Sequence, residues 1–313
     1  MKPLKAKNIV EVTDFSQKEW KKLIRESLAF QKNKHRKPQA LKNKRIGLLF
    51  DSNSLRTRLS FETAVYLLGG DAYFINIHSL THEDDGSKRE TFEDIIDTAD
   101  RMLDAYVLRD YSQKMLEVFK RKNNPPFING FCQIGHPSQA LADMSAIAFH
   151  KKTTSGLMYA GVCPSSGSGV MESFVYAVLL LGEHITLITE TGSFSGKNSD
   201  FEKQVAFLKK QYGGRFSVTA KKEKVLPEAD VLYVDEWWEN TPDYLNRNIG
   251  EYRVDETFLK QSKKDLVILH CLPAHPGREI SEELMRSPRS IIFDEAEFRV
   301  YSAMSLLAYL AKD

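Results

Sequence analysis

Apolar and polar positions alternate along this chain on two rhythms. Short runs rich in β-branched or aromatic residues at 46–50, 72–76, 105–108 and 127–129 read as strands, and runs at 157–160, 185–189, 216–219, 231–234, 266–270 and 290–293 continue the series. Helical spacing fills the gaps. Within 90–103, Phe92, Ile95, Ile96, Ala99, Met102 and Leu103 recur at the three-and-four interval of one buried face. A second helical pattern opens at His136 and runs toward Lys151, and a third, from Glu295 to Lys312, buries Met304, Leu307 and Leu310. Strands alternating with helices predict parallel α/β units. The polar stretch Lys151-Lys152-Thr153-Thr154-Ser155-Gly156 marks a boundary, so the expected division is 1–150 and 151–294, with 295–313 as a closing helix.

Composition narrows the class. A chain of 313 residues is long enough for about two domains, each with its own core. Its 44 basic and 42 acidic residues leave a formal net charge of +2, mixed along the chain, which is no field for gripping nucleic acid or an anionic membrane. The cysteines Cys132, Cys163 and Cys271 are odd in number and widely spaced, which points to a reducing compartment. No run approaches the ~20 apolar residues of a membrane span, and residues 1–7 lack the apolar core of a signal peptide, so a cytoplasmic protein is expected. The eight histidines show no His-x3-His spacing with a third partner, and neither metal nor cofactor is expected.

Chemistry concentrates where strands end. Ser54-Leu55-Arg56-Thr57-Arg58 follows the apolar run 46–50 and opens a helix, so hydroxyls, two guanidinium groups and helix-start N–H groups are expected to face one space, a trap for phosphate. Arg109, His136, Asp235 and Cys271 follow other strands, and ligands of open parallel sheets gather beyond strand carboxyl ends. Each residue has a plainer role open to it. Arg56, Arg58 and Arg109 could be surface charges, His136 could cap the helix opened by Pro137, Cys271 could be a core residue, and Lys88, in a polar loop, could simply be solvated. Tyr233, Trp237 and Trp238 could pack a core or wall a pocket.

Taken in order, three segments carry a resemblance: Ser54-Leu55-Arg56-Thr57-Arg58, Gly135-His136-Pro137-Ser138-Gln139-Ala140-Leu141-Ala142-Asp143 and His270-Cys271-Leu272-Pro273. Together they resemble the aspartate/ornithine carbamoyltransferase family over nearly the whole chain, nearest its ornithine branch. The resemblance implies two doubly wound parallel-sheet α/β domains with the active site in the cleft between them, and a closing helix packed back on the first domain. It implies that carbamoyl phosphate is held by Ser54, Leu55, Arg56, Thr57, Arg109, His136 and Gln139, and that Arg109, His136 and Thr57 face the carbamoyl oxygen. Asp235, Glu239, Asn240, Cys271, Leu272 and Ser166 would face the amine acceptor, with Arg299 completing the catalytic set and Lys88 a possible loop contribution. Partners implied are carbamoyl phosphate, a small amine or amino acid, and two further copies in a homotrimer.

The departures bear on the acceptor. Glu239-Asn240-Thr241 stands where the ornithine enzymes carry Ser-Met-Gly, the loop 161–169 replaces an asparagine-bearing one, and Glu297-Phe298-Arg299 replaces Glu-Asn-Arg. Ornithine or an ornithine-like acceptor is expected; an added acid at Glu239 opens the door to a diamine. Two other classes compete. A nicotinamide-dependent dehydrogenase would use the glycines of 161–169 with Glu190 about 20 residues on, although they fall as Gly-x5-Gly-x-Gly. A non-catalytic ligand-binding member of the same fold would keep the phosphate trap without turnover.

Overall fold

The computed structural model describes residues 8–83, 85–121, 125–237 and 249–311; the expected acceptor residues Glu239 and Asn240, with Trp238 and Thr241, lie outside them. Near the start Ser16 caps helix α1 (Gln17–Lys32), exchanging hydrogen bonds with Glu19, and Trp20, Leu23 and Ile24 turn inward. The first sheet holds β1 (Arg45–Phe50), β2 (Asp71–Asn76), β3 (Ala105–Asp110) and β4 (Phe127–Cys132), all parallel, in the order β2-β1-β3-β4. Helices α2 (Leu55–Leu67), α3 (Ile77–Thr81), α4 (Phe92–Ala99) and α5 (Lys114–Arg121) connect them. Helix α6 (Pro137–Lys151), buried along nearly its whole length, leads to the second sheet.

There β5 (Met158–Val162), β6 (His184–Ile188), β7 (Arg215–Thr219), β8 (Val231–Val234) and β9 (Val267–Leu269) run parallel in the order β7-β6-β5-β8-β9. Helices α7 (Gly169–Leu180) and α8 (Phe201–Tyr212) and the short α9 (Ile249–Tyr252) and α10 (Glu282–Met285) accompany them. Helix α11 (Ile292–Leu310) then returns to the first half of the chain and packs against α1, α2 and α6. Both sheets are doubly wound. The chain moves outward on one side of β1 to β2 and returns on the other to β3; it does the same about β5, with β6 on one side and β8 on the other. Such reversals open a crevice at the strand carboxyl ends. The crevices lie beyond β1 and β3 in one domain and beyond β5 and β8 in the other.

Two expectations are corrected. The run 290–293 is not a strand: Ser290 makes a single bridge to Ile268, and Ile292 already begins α11. A short apolar run looks the same at a buried helix start. The helical face of 90–103 is shorter than its spacing implies: α4 ends at Ala99, Ile95, Ile96 and Leu103 are buried, and Met102 is exposed.

Candidate active site

One cleft of about 540 Å³ gathers most of the expected residues: Ser54, Leu55, Arg56, Thr57, Arg109, His136, Gln139, Asp235, Cys271, Leu272 and Arg299 all line it. Its first wall begins at the start of α2. Ser54 is the cap, its hydroxyl accepting from Thr57 N at 3.3 Å, so Arg56 and Thr57 fall in the first helical turn, where backbone N–H groups have no helical partner. Arg58 departs from expectation. Positions two apart on a helix point to different sides, and Arg58 turns outward to pair with Glu62 at 2.9 Å and stack 3.8 Å over Phe74.

Three guanidinium groups remain on this wall, and burial pushes all three down, Arg109 and Arg299 to about 10. Arg109, at the end of β3, lies 4.4 Å over the Phe131 ring. Arg299 reaches in from α11 and donates from Nη2 to Thr57 Oγ1 at 3.1 Å and from Nη1 to Gln139 Oε1. Arg109 Nε and Arg299 Nε are buried without a hydrogen-bond partner, an arrangement that is costly unless an anion uses such donors. His136 is the cap position of α6, yet its side chain makes no capping bond. Burial first, then the charges of Arg299, Arg109 and Arg56, holds its imidazole well below the usual range, so it stays neutral at pH 7.

Behind this wall the buried polar groups are tied together. Gln139 Nε2 donates to Asp143 Oδ1 and to Glu295 Oε1, each at 2.7 Å, and Glu295 Oε2 accepts from His270 N at 3.0 Å. Burial raises both carboxyls, Asp143 to about 7, and their mutual repulsion adds to the effect on Glu295. Gln139 is therefore fixed at both ends of its amide. A second buried chain lies at the back of His136: Ser173 Oγ donates to Glu11 at 2.8 Å and accepts from His136 N at 2.8 Å. A Cβ on Gly135 would come within 2.0 Å of Glu11 Oε2, so any larger residue there would displace the Glu11 carboxylate.

The opposite wall belongs to the second sheet. Asp235, following β8, accepts from Ser168 Oγ and, at 2.9 Å, from Glu236 N; burial raises its carboxyl above the ordinary range. Cys271 follows β9. Burial, then the carboxylates of Asp235, Glu295 and Asp143, holds its thiol well above 9, so it is no thiolate nucleophile at neutral pH. Leu272 beside it has a left-handed backbone, φ 58, held by a bond from its N to His270 Nδ1 at 2.9 Å, and the Leu272–Pro273 peptide is cis.

Two expected residues lie elsewhere. Ser166 is outside the cleft, its hydroxyl buried without a partner, and Ser168 occupies the wall instead. Lys88 is exposed on a loop bridged to His82, also outside the cleft. Residues missed by sequence reasoning also line the cavity, among them Tyr111, Phe131, Gln133, Lys197 and Glu236. The loop after β6 carries Lys197, and applying the strand-end rule to that strand would have found it. The glycine-rich loop offers no cradle for a pyrophosphate. A Cβ on Gly169, the first residue of α7, would meet Gln133 O at 2.4 Å and Gly135 N at 2.6 Å, and Glu190 is occupied by Ser165 N at 3.0 Å. Among the described residues no group of three or more His, Cys, Asp or Glu is placed to hold a metal ion, and no helix is long and apolar enough to cross a membrane.

Fold and site together define a two-domain α/β protein with an arginine-rich wall facing a wall that carries Asp235 and Cys271 across a cleft. Residues 7–148 match the family model described as aspartate/ornithine carbamoyltransferase, carbamoyl-P binding domain, and residues 155–310 match its Asp/Orn binding domain. The chain belongs to the aspartate/ornithine carbamoyltransferase family. An ornithine carbamoyltransferase of Methanococcus aeolicus is 32% identical over 311 residues, covering 97% of this chain and 99% of its own. The ornithine carbamoyltransferase structure from Pyrococcus furiosus superposes with a TM-score of 0.87 at 28% identity, covering 98% of both chains. An N-acetyl-L-ornithine transcarbamylase reaches 0.84 at 25% identity, covering 97% of this chain and 99% of that one.

Proposed function

We propose that this protein transfers the carbamoyl group of carbamoyl phosphate to the side-chain amine of ornithine or a close relative of it, releasing phosphate. The observation that carries the reading is the convergence of Arg56, Arg109 and Arg299 with neutral His136 on one wall, facing Asp235 and Cys271 on the other. The first turn of α2 with Arg56 binds the phosphate dianion. Arg109, His136 and Thr57 donate to the carbamoyl oxygen, where negative charge grows as the amine adds, and His136 does so as a neutral imidazole. Gln139, held by Arg299, Asp143 and Glu295, orients the carbamoyl amide. The amine nitrogen bonds to the carbamoyl carbon, the carbon–oxygen bond to phosphate breaks, and the leaving phosphate takes up the proton released by the amine.

A side-chain amine is ordinarily protonated, with a pKa of about 10.4, and must lose that proton to attack. The three guanidinium charges that keep His136 neutral disfavour an ammonium beside them in the same way. Asp235 and Cys271 receive the acceptor from the opposite side. Phosphate release and citrulline formation from carbamoyl phosphate and ornithine test the reading; carbamoyl phosphate binding without turnover on ornithine, N-acylated ornithines, putrescine, lysine or aspartate would instead support a non-catalytic member.

The reading extends to assembly and place. Leu55, Leu59 and Tyr66 lie 70%, 53% and 62% exposed along one face of α2, beside exposed Tyr73 on the edge strand β2, and such a stripe supports burial against a neighbouring copy in a homotrimer. Lys88, on its exposed loop, would contribute across that contact. Light scattering at the monomer mass would remove both. The three unpaired cysteines support a cytoplasmic location.

A further inference from the structure

The second domain sets two carboxylates, Asp235 and Glu236, against the cleft, together with one lysine, Lys197. Lys197 sits in the loop between β6 and α8 and joins Ser168, Gly169 and Val170 in the lining. Its backbone is not loosely placed. Glu172 on α7, fully buried, accepts from Lys197 N and from Asn198 N at 3.1 Å, and Ser195 N donates to Ser165 O at 2.9 Å. Gly196, with φ +69, makes the turn that leads into Lys197, which is itself part of the cavity lining. Among the described residues no carboxylate lies within ion-pairing distance of the Lys197 ammonium. The carboxylate behind it, Glu172, is spent on backbone amides, and burial raises it to about 7.

This wall is dipolar, with two carboxylates on one part and an ammonium on another. An amino acid carries the complementary pair, an ammonium and a carboxylate, whereas a diamine brings a second ammonium toward Lys197. The loop 161–169 has Ser168 and Gly169 at this place, neither of which supplies a charge. Among the described residues of the second domain, the lysine in the cleft lining comes from the next loop.

We propose that Lys197 is a specificity-determining residue that binds the carboxylate of an amino-acid acceptor and selects against decarboxylated diamines. The inference rests on the carbamoyl-transfer reading above and names its acceptor class. Steady-state kinetics of wild type, Lys197→Gln and Lys197→Glu with ornithine and with putrescine, at saturating carbamoyl phosphate, test it. A charge-assisted bond of this kind corresponds to about a 10- to 100-fold rise in the KM for ornithine in Lys197→Gln, and more in Lys197→Glu. The preference for ornithine over putrescine falls by the same factor, while the Kd for carbamoyl phosphate alone stays within about threefold, the range of a distant charge. Equal losses on both acceptors, or weakened carbamoyl phosphate binding, would overturn the assignment. Wild-type protein that binds carbamoyl phosphate and carbamoylates neither these acceptors nor N-acylated ornithines, lysine or aspartate would remove the transfer reading and this inference with it, through a readout that needs no variant.

Discussion

Arg299 donates from Nη2 to Thr57 Oγ1 at 3.1 Å, joining α11 to the first turn of α2 across 242 residues of sequence. The same guanidinium holds Gln139 through Nη1. Both partners line the phosphate-facing wall, so Arg299 acts on the site through them as well as by its own charge. Arg299→Gln is expected to lower kcat/KM for carbamoyl phosphate by about 100-fold or more, the range for a lost preorganised donor. Arg299→Lys should recover little, because a single ammonium cannot bridge two acceptors in the plane of a guanidinium. Full activity in Arg299→Lys would show that charge alone matters.

His136 is buried among three guanidinium groups, and its imidazole is held well below the ordinary range. The pH profile of kcat/KM should therefore show no histidine break between about pH 6 and 8, the window around an unperturbed value of 6.5. Activity should rise with pH as the acceptor amine deprotonates. His136→Gln, which keeps an N–H donor, should retain more activity than His136→Ala, for which a loss of about 100- to 1,000-fold is expected. A break near pH 6.5 that vanishes in His136→Gln would contradict the assignment.

Cys271 is a protonated thiol by virtue of burial and three nearby carboxylates. Iodoacetamide should label it slowly at pH 7.5, and Cys271→Ser should leave turnover within about tenfold, since no thiolate chemistry is lost. Rapid alkylation with parallel loss of activity would point to a thiolate.

Glu11 has its carboxyl pushed up to about 8 by burial. The native state then holds a proton that the unfolded chain gives up near the ordinary 4.5, so stability falls as pH rises from about 4.5 to 8, by up to about 1.4 kcal/mol per pH unit for one group. Glu11→Gln should flatten the decline of Tm between pH 5 and 8. An unchanged slope would mean that Asp143 and Glu172, also raised to about 7, carry it.

Gly169 lets α7 approach the backbone of Gln133 and Gly135, where an added Cβ would meet oxygen at 2.4 Å. Backbone atoms cannot swing aside as a flexible side chain does. Gly169→Ala is expected to separate the two walls, lowering kcat/KM by at least about tenfold, the effect of a small misplacement of reacting groups. Thermal unfolding of the same variant separates this displacement from a failure to fold.

Much of the fold could be read from the chain because β1, β3, β4, β5 and β8 are mostly apolar runs that parallel sheets bury on both sides; 231–234 coincides with β8. The residues at the start of α2 could be picked out for a related reason, since a hydroxyl cap and arginines stand at a strand-to-helix junction, where helix-start N–H groups also gather. Arg58 misled because linear spacing hides helical direction. The run 290–293 misled because Ile291 and Ile292 are buried at the start of a helix, not in a strand, and Phe293 is exposed. Lys197 and Glu11 escaped because neither belongs to a periodic element: one is a lysine in a polar loop, the other an acid between two valines whose burial depends on Ser173, 162 residues away. Tertiary contact gives such residues their meaning.

The return of α11 to the first half of the chain has a consequence for synthesis. A ribosome makes β1 to β4 first, yet the groove formed by α1, α2 and α6 is filled only by a helix translated after the entire second sheet. Until then Thr57 and Gln139 lack Arg299, and the apolar faces that α11 will cover stand open to water. The nascent amino-terminal half is thus expected to be a client for chaperones, and its grip on carbamoyl phosphate matures only after the second sheet has been made.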